Sequence, residues 1–265
     1  MVIIARNEQD LIETCLKSCN FADEIIVIDN DSTDKTADIA KKHGARVIRY
    51  ESEDFSKTRN RGMESAKSDW VLYIDADERI LKDLELEILE AINTPGISAL
   101  AISRKNIIFG QPVSYGPYKK DWVIRLFKKS DFDTWVGKVH EYGKFKGKLG
   151  YSKNSLLHLT HRDLDHFMQK TLAWSKIDAK LRYDANHPRM TKLRFMRILF
   201  TSFWSELITR RGLFGGTVGF IDSTLQAISF YLTYIRLWEM QQKPLGEMYK
   251  DIDKKLIENN FEYKQ

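Results

Sequence analysis

Hydrophobic and polar positions alternate between two periods over the first ninety residues. Val2-Ile3-Ile4 is an unbroken apolar run, after which Leu11, Ile12, Cys15, Leu16 and Cys19 recur at helical spacing. Residues 24–28, Glu24-Ile25-Ile26-Val27-Ile28, read as a second buried strand, and Asp31 or Ser32 stands where it can cap a helix through Ala37 and Ala40. A third run covers 46–48, a helix is predicted around 57–66, and 70–74 is a fourth run leading straight into acidic residues. Runs apolar on both faces, each followed by a helix, predict a parallel sheet covered on two sides.

Beyond a helix predicted at 81–92 and the break at Thr94-Pro95-Gly96, the pattern changes. Residues 99–108, 122–127 and 138–145 read as shorter, partly alternating strands of a mixed half-sheet. An amphipathic helix follows at 164–183, and Asn186-His187-Pro188 reads as a hinge to a terminal region. The expected organisation is an α/β catalytic domain over 1–185, divided into a nucleotide-binding half (1–95) and an acceptor half (96–185), with a helical region over 186–265.

Composition narrows the class. With 265 residues, 43% hydrophobic and 30% charged, the chain has room for one large α/β domain with a helical appendage. The mean hydropathy of -0.42 argues against a polytopic membrane protein. The net charge of +5 is unevenly placed: residues 186–243 hold eight Lys and Arg against Glu206, Asp222 and Glu239. These cations sit among Phe, Trp, Leu and Ile, which suits an anionic membrane surface better than a nucleic-acid groove, and no nucleic-acid-binding signature accompanies them.

The stretch 213–235 approaches the length of a membrane span, but Asp222 and three glycines favour helices lying in the interface. An oligomer surface and a true span are the other readings. Met1 runs directly into the first apolar run without a leader, so the expected location is cytoplasmic, peripheral on the inner face of the cell membrane. Cys15 and Cys19 read as small reduced core residues.

In parallel α/β sheets, ligands bind beyond the carboxyl ends of the strands. Three runs end there in polar clusters: Arg6-Asn7-Glu8, Asp29-Asn30-Asp31 and Asp75-Ala76-Asp77-Glu78. An Asp-x-Asp triplet can aim one carboxylate at a ribose and the other at a divalent cation that bridges diphosphate oxygens. Alone such a triplet is a weak signal; its position strengthens it.

The order and spacing of Ile4-Ala5-Arg6-Asn7-Glu8, the segment from Val27 to Thr36, Arg59-Asn60, and the segment from Asp69 to Glu78 resemble a family 2 glycosyltransferase. The resemblance lies toward the branch of lipopolysaccharide-core and surface-glycan glucosyltransferases. It implies a GT-A fold, with a Rossmann-like half and a mixed-sheet half, and inverting transfer from a nucleotide-diphosphate sugar, here a UDP-sugar, with Mg2+ or Mn2+. Carried over by position, Arg6, Asn7, Glu8 and Asp29 would serve the nucleotide sugar, Asp75 the ribose or metal shell, and Asp77 the metal. Arg59 would lie near the base or phosphates.

The same resemblance places Glu141, in Gly137-Lys138-Val139-His140-Glu141, as the general base, with His140 as its neighbour or an acceptor contact. Asp131 and Asp133 are weaker candidates. Arg125 would hold donor phosphates or an anionic acceptor, and His158 would reach the metal or diphosphate, with His161 less favoured. The acceptor would be a glycan or a lipid-linked sugar. Where the branch carries an Asp-Gly pair near its terminal glycine-aromatic element, this chain has Gly215-Gly216-Thr217-Val218-Gly219-Phe220.

Two rival functions remain open in the sequence. A sugar-nucleotide nucleotidyltransferase would carry a glycine-rich loop after its first strand, where this chain has Ala5-Arg6-Asn7-Glu8. A catalytically inactive, membrane-associated binding subunit would have no reason to keep Asp29, Asp75, Asp77 and Glu141 together.

Overall fold

The computed structural model describes residues 1–137, 141–242 and 244–258. They fall into two compact units, Met1–Thr160 and His161–Gln265.

The first unit is built on a nine-stranded sheet among the described residues. Its parallel part comprises β1 (Val2–Ala5), β2 (Ile26–Asp29), β3 (Arg46–Arg49) and β4 (Trp70–Asp75), in the spatial order β3-β2-β1-β4. Helices α1 (Ile12–Ser18), α2 (Thr36–Lys42) and α3 (Phe55–Ser65) provide the crossovers. Alternate residues of these strands face opposite ways, and each face has its own core. Ile3, Val27, Leu72 and Ile74 join Ile12, Cys15, Leu16 and Ala40 on one side. Val2, Ile26, Ile28, Val71 and Tyr73 join Met63 and Ala66 on the other.

Helix α3 starts where the Asp54 carboxylate accepts from the Ser56 and Lys57 amides. It lies close on the sheet because residue 62 is glycine: a Cβ there would stand 2.5 Å from Val2 Cγ1.

After β5 (Glu78–Arg79) and α4 (Lys82–Ile92), the sheet continues with β6 (Ile97–Ile108), β7 (Gln111–Val113), β8 (Trp122–Lys128) and, beyond β9 (Phe132–Val136) and β10 (Tyr142–Phe145), β11 (Lys148–Thr160). Strand β8 pairs antiparallel with both β4 and β6, joining the mixed part to the parallel part. Strand β11 runs parallel to β6 and antiparallel to the two-residue β5. Strands β9 and β10 form a separate hairpin.

Of the strand expected at 138–145, the structure describes β10, while 138–140 lie outside the described residues. The partly polar β11 and the short β5, β7 and β9 leave no strand pattern in the sequence.

The second unit holds α5 (Leu164–Asp184), α6 (Lys192–Trp204), α7 (Gly216–Met240) and α8 (Leu245–Glu258). Helix α5 thus groups with the terminal helices, whereas sequence organisation assigns it to the acceptor half. Ala179, Met190, Ile198, Tyr234 and Leu237 form its core. The Asn186-His187-Pro188 turn is pinned by Gln241, whose amide donates to His187 O (3.0 Å) and accepts from Met190 N (2.8 Å). Among the described residues no helix is long and apolar enough to cross a membrane. Helix α7 carries a buried Asp222 in its second turn, bonded to His161 Nδ1 at 3.0 Å.

Candidate active site

The carboxyl ends of β1, β2 and β4 deliver all three polar clusters to one edge of the parallel sheet. The first two are laced together. Asn7, at φ 55°, accepts from Thr33 N at 2.8 Å and donates its own amide to Ser32 Oγ at 3.0 Å. The Glu8 amide donates to Thr36 Oγ1 at 2.7 Å, and buried Asp29 accepts from Ser32 N at 3.2 Å. These bonds fix the loops as one floor; α2 starts only at Thr36 with no side-chain cap, so neither Asp31 nor Ser32 caps it and Asp29 closes a turn ahead of it. Arg6 is exposed beside them.

The third cluster is held by charge. Asp75 accepts from Arg125 Nη2 at 2.5 Å and from Arg59 Nη2 at 3.1 Å. Burial alone would raise its pKa, but the Arg125 and Arg59 charges outweigh it and hold the carboxyl well below the usual carboxylate range. Burial equally disfavours the charged form of Arg125, yet Asp75 and Glu78 overcome this and raise its pKa above the ordinary arginine value.

Glu78, with no exposed surface, accepts from the Asp75 amide (2.9 Å) and from Arg125 Nη2 (2.7 Å). Arg79 donates to the carbonyls of Ala76, Glu78 and Leu11, so the acidic turn is tied to α1. Glu78 and Arg79 receive no role in the sequence reading. The available signal was that an acidic residue inside a mixed sheet demands cations, and Arg104 and Arg125 lie on strands of that sheet.

Arg59 reaches further. Its Nε donates to Glu141 Oε1 at 2.8 Å, so one guanidinium bridges Asp75 and the candidate base. Its Cζ stands 5.0 Å from the Trp135 ring centroid and 5.7 Å from that of Tyr73, a cation–π setting that offsets the absence of a hydrogen-bond partner at Nη1 among the described residues. The neighbouring Asn60 clamps β9: its amide donates to Trp135 O (3.0 Å) and accepts from Trp135 N (2.8 Å). Spacing gives no signal for that role. His140 lies outside the described residues.

His158 arrives by register. It stands opposite Glu78 in the β11–β5 pair and opposite Asn106 in the β11–β6 pair, while Leu159 N donates to Asp77 O at 2.8 Å. Its Nε2 lies 3.6 Å from Asp77 Oδ2, and its Nδ1 lies 2.6 Å from Asn106 Oδ1. Among the described residues no group of three or more His, Cys, Asp or Glu is placed to hold a metal.

One carboxylate and one imidazole at this separation nevertheless fit a divalent cation whose other ligands are diphosphate oxygens and water. Asp75 is occupied by two guanidinium groups instead. His161 is bonded to Asp222 in the second unit, Asp131 accepts from Ser98 Oγ at 2.7 Å, and Asp133 is exposed.

The family model described as glycosyl transferase family 2 matches residues 1–148. An uncharacterized glycosyltransferase of Rickettsia bellii is 29% identical over 90% of this chain and 85% of its own length. The lipopolysaccharide core biosynthesis glycosyltransferase LpsC of Rhizobium meliloti is 26% identical over 89% of this chain and 90% of its own. A solved mannosyl-3-phosphoglycerate synthase from Rubrobacter xylanophilus aligns at 25% identity over 40% of this chain and 39% of its own, with a TM-score of 0.36.

Proposed function

Because the chain belongs to glycosyl transferase family 2 and is a glycosyltransferase of GT-A fold, we propose that it transfers a sugar with inversion from a UDP-sugar to a hydroxyl of a surface-glycan or lipid-linked acceptor. The observation that carries this reading is the bridge from Asp75 through Arg59 to Glu141, beside the Asp77–His158 pair. It joins residues of the nucleotide edge to a carboxylate suited to act as base.

In this reading the floor of Arg6, Asn7, Glu8 and Asp29 receives the nucleoside. Asp75, kept anionic by Arg59 and Arg125, accepts from the ribose hydroxyls. Arg125 acts by shaping and charging the acidic turn from beneath. Asp77 and His158 would hold Mg2+ or Mn2+, which when bound neutralises charge on the leaving diphosphate.

Glu141, oriented by Arg59, takes the acceptor hydroxyl's proton as that oxygen bonds to the anomeric carbon. The bond from that carbon to the diphosphate breaks on the opposite face, and nucleoside diphosphate leaves. Two oppositely placed events need one base and no covalent intermediate. One glutamate held by an arginine supplies it.

The LpsC relative supports a lipopolysaccharide or other cell-envelope glycan as the product class. A cytoplasmic position on an anionic membrane face, where a lipid-linked acceptor is held, is supported by α6. Leu193, Met196, Phe200 and Trp204 are exposed at helical spacing, with Lys192, Arg194 and Arg197 among them.

The deciding assay is metal-dependent turnover of a panel of nucleotide sugars, with UDP-glucose among them. Wild type should release nucleoside diphosphate and Asp77→Ala should not. Binding of donors by both proteins without release by either would sink the enzymatic reading of this site, and pyrophosphate release from a nucleoside triphosphate would favour a nucleotidyltransferase. Flotation with anionic liposomes tests the membrane proposal, which fails if wild type and an Arg194→Glu/Arg197→Glu variant remain equally unbound.

A further inference from the structure

Behind His158 runs a chain of polar groups that ends at Glu78 in the acidic turn. Asn106, 1% exposed on β6, faces His158 across the β6–β11 pair with its Oδ1 2.6 Å from His158 Nδ1. Its Nδ2 donates to Asp121 Oδ2 at 3.0 Å. Asp121 also accepts from Arg104 Nε and Nη2, each at 2.9 Å, and Arg104 Nη1 lies 3.7 Å from Glu78.

The directions of these bonds follow from what each group can do. A carboxylate only accepts, and Asp121 is held as a carboxylate by the Arg104 fork. Asn106 must therefore turn its NH2 toward Asp121, which leaves its carbonyl oxygen facing the imidazole. Reversing the amide would set an oxygen against a carboxylate in a buried site, a costly arrangement. An acceptor at 2.6 Å requires a donor at Nδ1. A neutral imidazole has one N–H, so the lone pair falls on Nε2, the nitrogen 3.6 Å from Asp77 Oδ2.

We propose that Asn106 and Asp121 are positioning residues that select the Nδ1–H tautomer of His158 and so turn its Nε2 lone pair toward the space shared with Asp77. The proposal deepens the functional reading and rests on it for the identity of the cation site. Partners of this kind behind a ligating histidine change metal affinity by about 10- to 100-fold when removed. Arg104 extends the chain to Glu78, so the imidazole and the acidic turn are oriented by one connected set of side chains.

The test uses the whole protein labelled with 15N-histidine, observed by NMR at pH 8.5, with His158 assigned from a His158→Gln variant. Wild-type His158 should show protonated Nδ1 and unprotonated Nε2. In Asn106→Leu that preference should be lost, and Mn2+ alone should broaden the His158 signals only at about 10- to 100-fold higher concentration than in wild type.

Asp121→Asn, which frees the Asn106 amide to reverse, should give a mixed tautomer and serves if Asn106→Leu does not fold. A wild-type ring protonated on Nε2 overturns the proposal, as does an unchanged tautomer in folded variants. Undiminished Mn2+ broadening in Asp77→Ala would overturn the ligand assignment instead, leaving the tautomer measurement to stand alone.

Discussion

Arg59 and Glu141, 82 positions apart in the chain, are joined by a 2.8 Å bond from guanidinium Nε to carboxylate. The same guanidinium holds Asp75, so the glutamate proposed as base is aligned through a residue bonded to the acidic turn. This predicts separable effects. Glu141→Gln should retain donor affinity within a few-fold while transfer falls by about 10²- to 10⁴-fold, the usual contribution of a positioned base. Titration with UDP-sugar by calorimetry alongside a transfer assay checks it; loss of donor binding would show that Glu141 serves the donor instead.

Removing the carboxylate at 75 should expose how the guanidinium groups are compensated. Asp75→Asn leaves Arg59 and Arg125 each with one remaining carboxylate, Glu141 and Glu78 respectively. A loss of about 1–3 kcal/mol at pH 7 is expected for underused buried charged donors, readable from the urea midpoint.

The pH dependence has a definite sign. Asp75 has its pKa depressed in the folded protein, so its stabilising contribution is complete above the unfolded value, about 3.9, and is lost as pH falls through the lower folded value. The difference between wild type and Asp75→Asn should be constant from pH 5 to 8 and shrink below about pH 4. A gap that closes near neutrality would contradict the charge assignment.

Glu206 is the opposite case. Burial, with nearby Asp222 adding to it, raises its pKa against the lowering effect of Arg210. A raised carboxyl pKa makes the folded state lose stability as pH climbs past the unfolded value toward the folded one. Glu206→Gln should therefore raise the melting temperature at pH 7, and the gain should vanish below about pH 4. An unchanged or lower melting temperature at pH 7 would mean that the Arg210 pair outweighs burial.

Asn60 offers a purely mechanical test. Its two bonds to the Trp135 backbone hold β9 against α3, and Asn60→Ala should cost about 1–3 kcal/mol by leaving those groups unsatisfied. Trp135 fluorescence should shift toward that of an exposed indole well before global unfolding. A transition identical to wild type would show that the hairpin is held by its ring contacts alone.

What could be read from sequence followed burial. Strands β1, β2 and β4 are buried on both faces, so they appear as apolar runs, and their carboxyl ends announce Asp29, Asp75 and Asp77 at one edge. Strand β11 carries Lys148, Lys153 and Asn154 and is mostly half-exposed, so its pattern resembles a loop. Strand β5 has two residues and exists only because β11 pairs with it. Arg59 and Arg125 could be placed near the site, but their choice of carboxylates depends on how β8 and α3 approach β4. Neither spacing nor composition records that approach.

The register of β11 carries a consequence for the making of the protein. A chain synthesised from its N-terminus can complete its four parallel strands and expose the acidic turn while no imidazole yet stands beside Asp77. The partner arrives only when β11 is seated along β6 and β5, and a slip by one position would present Leu157 or Leu159 in its place. On the proposed assignment, competence comes late and in a single step. A half-made or misregistered chain then lacks one of the two groups proposed to hold the metal.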